Sequence, residues 1–375
     1  MLPSLLLSAE LLLLFSVLVV ATIWVLERGR RHQPAAKPTL EVALQTNLAV
    51  LGVATTTAGR TFLVFRRKGT AATPQVGEWQ PDGSVRPFPT TDWNQLVSDS
   101  NAPWTFVHAN ALRVGPGEVL WVLDTGSPAF GAATLPEGPK LVRVDLTTNR
   151  VVRIYPLGSV AGGTAYLNDV RFNGRHAYLT DSGRPALVVL DLTSGQARRV
   201  LENHPSLVAY RPYLANGQLL RTPQQTPVLV HADALELSPD GRWLYFAPAT
   251  GPMFKIDTRC LNDDQLSEAA RGRQVRFFAD TPSTGGTAMD ATGRLYFSDK
   301  AKPGILCLTP DGRLRDVVRD ERLDFVDALW IADNGDLLAP AAQLGRTAAL
   351  NGGLEATNPP FTIYRLRLGL QPVRH

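Results

Sequence analysis

Four short stretches of this chain set a carboxylate, a carboxamide or both directly ahead of an apolar run. They carry Asn110 in HANALRV, Asn168 and Asp169 in YLNDVRF, His231 and Asp233 in HADALEL, and Asp327 in FVDALWI; a fifth, STGGTAM, has Gly285 and Gly286 at the same place. Oxygens of this kind, gathered round one axis, are what a hard cation such as calcium takes as ligands. They serve equally to hold a polar or cationic organic molecule. A buried carboxylate close to another has its pKa raised and can accept a proton, with neighbouring amides orienting the substrate. On this reading Asp169 and Asp233 are the expected catalytic acceptors, and Asn110, Asn168, His231 and Asp327 the expected ligand contacts. The alternative is that each residue bonds the backbone of its own turn. That alternative is the expectation for Asp124, Asp181 and Asp299, which close apolar strands.

Several other chemistries lack their residues. The histidines, His32, His108, His176, His204, His231 and His375, make no HxH or HExxH pattern, and there is no GxSxG elbow, Walker loop or dinucleotide fingerprint. Serine hydrolase, ATPase and Rossmann oxidoreductase readings fall away. Cys260 and Cys307 are too few for a disulfide framework or a cysteine metal cluster, and read either as two isolated thiols or as one disulfide. The tryptophans at 79, 93, 104, 121, 243 and 330 are expected to pack in the core.

The elements that position these residues come from a repeat. An apolar strand, a glycine turn, a second strand often closed by Asp, a third strand and a polar turn into a fourth recur from Ala111 to Leu157, Val170 to Leu201, Ala234 to Leu261 and Thr287 to Val318. Degenerate copies open the array at Leu51 and close it at Ala328. The second strands end at Asp124, Asp181, Pro248 and Asp299, which are 57, 67 and 51 residues apart. A period of about 50 residues with four strands per unit is the signature of a propeller blade. The expected fold is therefore all-β: a six-bladed propeller of four-stranded antiparallel blades spanning residues 39–370. Thr39 to Gln45 alternate well enough to give the last blade its missing strand and close the ring. His204 to Val230 is a long loop between blades, of a length that is usually functional.

Composition agrees. Among 375 residues there are 31 Gly and 28 Pro, only 19% are charged, and Asp outnumbers Glu 23 to 11, a bias that suits turns better than helix interiors. Net charge is +4, of which residues 1–40 supply +2 (four basic residues against two acidic). The rest is nearly balanced, so no nucleic-acid footprint is present. Leu5 to Leu26 is apolar enough to span a bilayer core, so residues 1–27 are expected to be a hydrophobic helix acting as a signal anchor or signal peptide, with 28–38 as a linker. No basic residue precedes the run, which favours an anchor and a membrane partner. Arg28, Arg30 and Arg31 would by themselves hold the body in the cytoplasm. Long domains translocate against such a bias, and an extracytoplasmic, monomeric propeller is the expectation.

Beyond the repeat, LWVLDTG at 120–126, YLNDVRF at 166–172, AYLTDSG at 177–183, ADALELSPDGRWLYFAP at 232–248 and PPFTIYRLRL at 359–368 resemble the bacterial branch of the major royal jelly protein and yellow family. The resemblance covers roughly residues 45–368. It implies a secreted or surface-held six-bladed propeller; some insect members are linked to dopachrome conversion, and others bind small aromatic amines in the channel. A more distant similarity is to calcium-dependent lactonases of the gluconolactonase type. It implies Asn168 and Asp233 as metal ligands and a lactone as substrate. The chain departs from that pattern at Gly285, where the lactonases supply an acid, and in the first blade, where the corresponding stretch reads Asn47-Leu48-Ala49-Val50 with no Glu. A non-catalytic interaction scaffold is the third reading.

Overall fold

The computed structural model describes residues 38–67 and 73–374. The expected anchor, and all of the expected linker but Pro38, lie outside the described residues.

Six antiparallel four-stranded sheets follow the repeat, each running from an inner to an outer strand. Blade one consists of Val50–Thr55, Thr61–Phe65, Val76–Trp79 and Val85–Pro87, and blade two of Ala109–Gly115, Val119–Asp124, Lys140–Asp145 and Arg150–Pro156. Leu167–Asn173, His176–Asp181, Ala186–Asp191 and Ala197–Val200 form blade three; Ala232–Leu237, Trp243–Pro248, Met253–Asp257 and Arg276–Ala279 form blade four. Blade five is Thr287–Met289, Leu295–Asp299, Gly304–Leu308 and Leu314–Arg319. Blade six is Trp330–Ile331, Asp336–Ala341 and Phe361–Arg367, with Leu40–Thr46 as its outer strand. Leu40 pairs with Leu366 and Thr46 with Phe361, so the two ends of the propeller close its last blade together.

The period-2 alternation explains how blades stack. Within Leu187-Val188-Val189-Leu190, Val188 and Leu190 pack into the core shared with blade two. Leu187 and Val189 pack into the core shared with blade four. A strand buried on both faces has no polar side, which is why it reads as a continuous apolar run. The three Pro-Asp-Gly turns end on Gly83, Gly241 and Gly312, with φ of 82°, 67° and 81°. That left-handed backbone suits glycine because a Cβ would clash with the chain.

Asp124, Asp181 and Asp299 are structural, as their position suggested. Asp124 accepts from the backbone N–H groups of Val107 and His108 at 2.7 and 2.9 Å and from Lys140 Nζ at 2.7 Å. Asp181 accepts from the Tyr166 N–H and Arg199, and Asp299 from the Lys302 N–H and Arg319. Trp104 departs from expectation: it is 66% exposed, because it ends a short 3-10 helix on the surface rather than lying in a strand. Both cysteines are free thiols.

Hydroxyl side chains tie one blade to the next. Thr180 Oγ1 in blade three donates to the Asp233 carbonyl of blade four at 3.0 Å and accepts from the Asp169 N–H at 3.2 Å. Thr180→Val keeps the shape and strands both buried backbone groups. The expected cost is about 1–3 kcal/mol, read as a lower urea midpoint; an unchanged midpoint would show that the bridge contributes nothing.

Candidate functional site

The residues singled out in the sequence sit on a recurring backbone irregularity. In each of the first four blades the inner strand carries one extra residue opposite the second strand, between Val50 and Gly52, Ala109 and Ala111, Leu167 and Val170, and Ala232 and Ala234. Such a bulge bends the strand and re-aims a side chain. The residues it displaces are Leu51, Asn110, the Asn168-Asp169 pair and Asp233. The first-blade counterpart is therefore Leu51 rather than the stretch 47–50. In blades five and six the equivalent positions, Gly285 and Asp327, lie just ahead of the inner strands.

Asn110, Asn168, Asp233 and Asp327 line one cavity of about 240 Å³ at the mouth of the channel, together with Leu51, Phe130, Tyr166, Tyr213, Lys300 and Phe325. Asn110 Nδ2 donates to the Asn168 carbonyl at 2.8 Å, Tyr166 Oη donates to Asn110 Oδ1 at 3.2 Å, and Asn168 Nδ2 donates to Ser182 Oγ at 3.1 Å. The two amides are thus fixed by each other before any ligand arrives. Asp233 is buried, and no hydrogen bond reaches its carboxylate from the described residues. Burial pushes its pKa up to about 7; Lys300 opposes this, while the charges of Asp327 and Asp169 reinforce it. Asp327 is raised as well, by burial first, despite Lys300 Nζ 3.7 Å from its Oδ1.

Two expected residues are elsewhere. Asp169 faces away from the cavity, further along the channel, where Arg113 Nη2 and Arg171 Nη1 hold its carboxylate at 2.9 and 2.7 Å. Burial disfavours its charge, but the two guanidiniums outweigh that and keep the carboxyl below the usual range. A carboxylate so bound is a poor proton acceptor, so this geometry does not support the catalytic role expected of Asp169. Arg171 continues to Glu236 at 2.8 Å and to the Thr287 carbonyl at 3.1 Å. Inner strands of blades two to four are thereby linked beneath the cavity by a chain of ion pairs, and blade five is joined to it by a hydrogen bond. His231 does not line the cavity either. Its Nδ1 accepts from the Ala209 N–H at 3.1 Å and its own N–H donates to the Ser182 carbonyl, which ties the 204–230 insertion to the ring.

That insertion supplies what the repeat could not reveal. It folds into a hairpin, Leu214–Ala215 with Gln218–Leu219, and a small core in which Tyr213, Leu220 and Val228 pack with Ala249 and Phe325. Tyr213 accepts a 2.9 Å hydrogen bond from Lys300 Nζ. Lys300 had a signal in the sequence. The residues following the six second-strand ends are Arg66, Thr125, Ser182, Ala249, Lys300 and Ala342, so a cation replaces a small side chain at two places in the ring. His108, also on the cavity wall, is held neutral, its pKa lowered to about 4 chiefly by burial.

These residues do not fit a divalent cation. Among the described residues no group of three His, Cys, Asp or Glu is placed to hold one. The lysine ammonium already lies beside Asp327, and a Cβ built on Gly285 would come within 2.9 Å of Nζ. Gly285 thus makes room for a cationic side chain where an acid would be needed for a metal.

Comparison with known proteins is consistent with this architecture. The family model described as major royal jelly protein matches residues 108–370. A gluconolactonase from Xanthomonas campestris superposes with a TM-score of 0.53 at 15% identity, over 89% of this chain and 90% of its own. A luciferin-regenerating enzyme superposes with a TM-score of 0.54 at 11% identity, over 90% of this chain and 99% of its own. At such identities the likeness is one of fold. No curated protein matches the chain in sequence.

Proposed function

The chain belongs to the major royal jelly protein family, and from that premise we propose that it binds a small ring-bearing molecule in the channel-mouth cavity. There it catalyses proton transfer from a ring-borne carbon, an isomerisation of the kind that dopachrome tautomerisation exemplifies. The observation that carries this reading is Asp233: a buried carboxylate without a hydrogen-bond donor, on the wall of a cavity lined by Tyr166, Tyr213, Phe130 and Phe325. Buried carboxylates normally have partners. One left without, beside an aromatic cavity, is set up for a ligand proton, and a pKa near 7 suits a base working at neutral pH.

The step balances without an oxidant. Asp233 takes a proton from a carbon next to a carbonyl, the C–H electron pair moves into an enolate, and the same carboxyl returns the proton to the enolate oxygen, giving the enol. Asn168 and Asn110, already mutually bonded, orient the ring. In the same proposal the propeller works outside the cytoplasm on a tether formed by residues 1–27.

The test is solvent exchange. In D₂O, the protein is expected to accelerate deuterium incorporation at the carbon adjacent to the carbonyl of ring-bearing ketones above the spontaneous rate, read by proton NMR. No acceleration across the series, together with calcium-dependent turnover of lactones, would replace this reading with the hydrolase one; neither activity would leave a binding protein.

A further inference from the structure

Lys300 lies two residues beyond Ser298 in blade five, with its side chain only 2% exposed. An ammonium so buried is costly unless it is paired and hydrogen-bonded. Its surroundings are specific: Tyr213 Oη at 2.9 Å, Asp327 Oδ1 at 3.7 Å and the face of Phe325, whose centroid is 3.9 Å away. Burial opposes its charge, but Tyr213, Asp327 and Asp233 together offset this, so it stays protonated. Of the three hydrogens on Nζ, one goes to Tyr213, and Asp327 stands beyond hydrogen-bond reach. The remaining donors belong to a group that lines the cavity. Arg66, which pairs with Glu355 at 3.6 Å, and Arg67, which donates to the Val107 carbonyl, also line it. The carboxylates facing Lys300 are Asp327 and Asp233, both of which burial biases toward the neutral form.

We infer that Lys300 and Tyr213 form an oxyanion-binding corner, and that the cavity selects a ring compound bearing a carboxylate or enolate oxygen over a ring compound bearing an amine. The inference rests on the reading that this cavity is the ligand site, and deepens it. Lys300 takes the oxygen on which charge develops, Tyr213 holds the ammonium in place, and the aromatic wall takes the ring. In proton transfer from carbon this is the complementary half of the work done by Asp233, because the enolate oxygen would sit at a fixed positive charge in a water-poor site. Lys300 acts by contact with the ligand oxygen; Tyr213 acts through Lys300 and is a positioning residue.

The experiment compares phenylpyruvate with phenethylamine, which share a ring and a short chain and differ in the sign of their charge. By calorimetric titration at pH 7, the wild-type protein is expected to bind phenylpyruvate at least tenfold more tightly. Lys300→Met is expected to remove that preference or reverse it, and Tyr213→Phe to weaken phenylpyruvate severalfold with phenethylamine unchanged. Tyr213→Phe keeps the ring packed on Phe325 and so remains informative if Lys300→Met does not fold. Equal or tighter binding of the amine by wild type, binding of neither compound at millimolar concentration, or a preference that survives in folded Lys300→Met overturns the inference. A charge preference without any solvent exchange would support the oxyanion corner and remove the proton-transfer reading, so the two fail separately.

Discussion

Asp233→Asn is expected to lower the exchange rate by about 10²–10⁴-fold, the usual contribution of a positioned general base, while leaving phenylpyruvate affinity within a few-fold. Asn matches the carboxylate in shape but cannot take the proton. In the wild type the rate is expected to rise with pH through about 7 and then level, because only the ionised carboxylate is a base. The charges acting on it are those of Lys300, which favours ionisation, and of Asp327 and the more distant Asp169, which oppose it; burial outweighs the lysine.

The stability consequence has the opposite sign to that of a salt-bridged acid. A carboxyl whose folded pKa is raised binds more protons folded than unfolded. Its contribution is therefore present at low pH and is lost as pH rises from the unfolded value of 3.8 to about 7, a loss on the order of a few kcal/mol. Asp233→Asn removes that loss, so above pH 7 the variant is expected to unfold at an equal or higher temperature than wild type. A variant that is both inactive and less stable at pH 8 would mark Asp233 as structural and count against the base assignment.

The second large effect is expected at Asp169, through stability. Asp169→Ala leaves Arg113 and Arg171 buried with their shared carboxylate gone, and breaking such a cluster from one side costs about 3–5 kcal/mol. Chemical denaturation at neutral pH reads this directly. Its pH dependence runs the usual way: a depressed folded pKa gives stability that is present above the unfolded value and lost as pH falls through the folded one. Replacing the pair together, Asp169→Leu with Arg113→Met, is expected to cost less than Asp169→Ala alone, since matched apolar side chains carry no desolvation penalty. If Asp169→Ala were instead nearly neutral, the ion chain would contribute little to stability.

Much of the architecture was legible along the chain because its causes are local. Apolar alternation, Pro-Asp-Gly turns and the recurrence of strands at about 50 residues come from neighbours in sequence, and they foretold the blades and their number. The same locality let Asp124, Asp181 and Asp299 be read as caps, because the N–H groups they accept lie within their own blade. Trp104 was misread since a strand-like neighbourhood says nothing about which side of a short helix faces solvent.

The site was half legible for the converse reason. Repetition put Asn110, Asn168, Asp233 and Asp327 at equivalent stations around one axis. Two features lay beyond reach: which residue of Asn168-Asp169 turns toward the open mouth, and what occupies the place of the absent acid. The first depends on a one-residue bulge whose register is set by pairing with the second strand, and on Arg113, 56 residues away. The second depends on Tyr213 meeting Lys300 across 87 residues and on Gly285 leaving room for the ammonium. The sequence alone thus determined a six-bladed ring with polar residues facing its axis. Only the tertiary structure decided which of them remain open to a ligand, because ion pairing and burial at the channel join side chains from different blades.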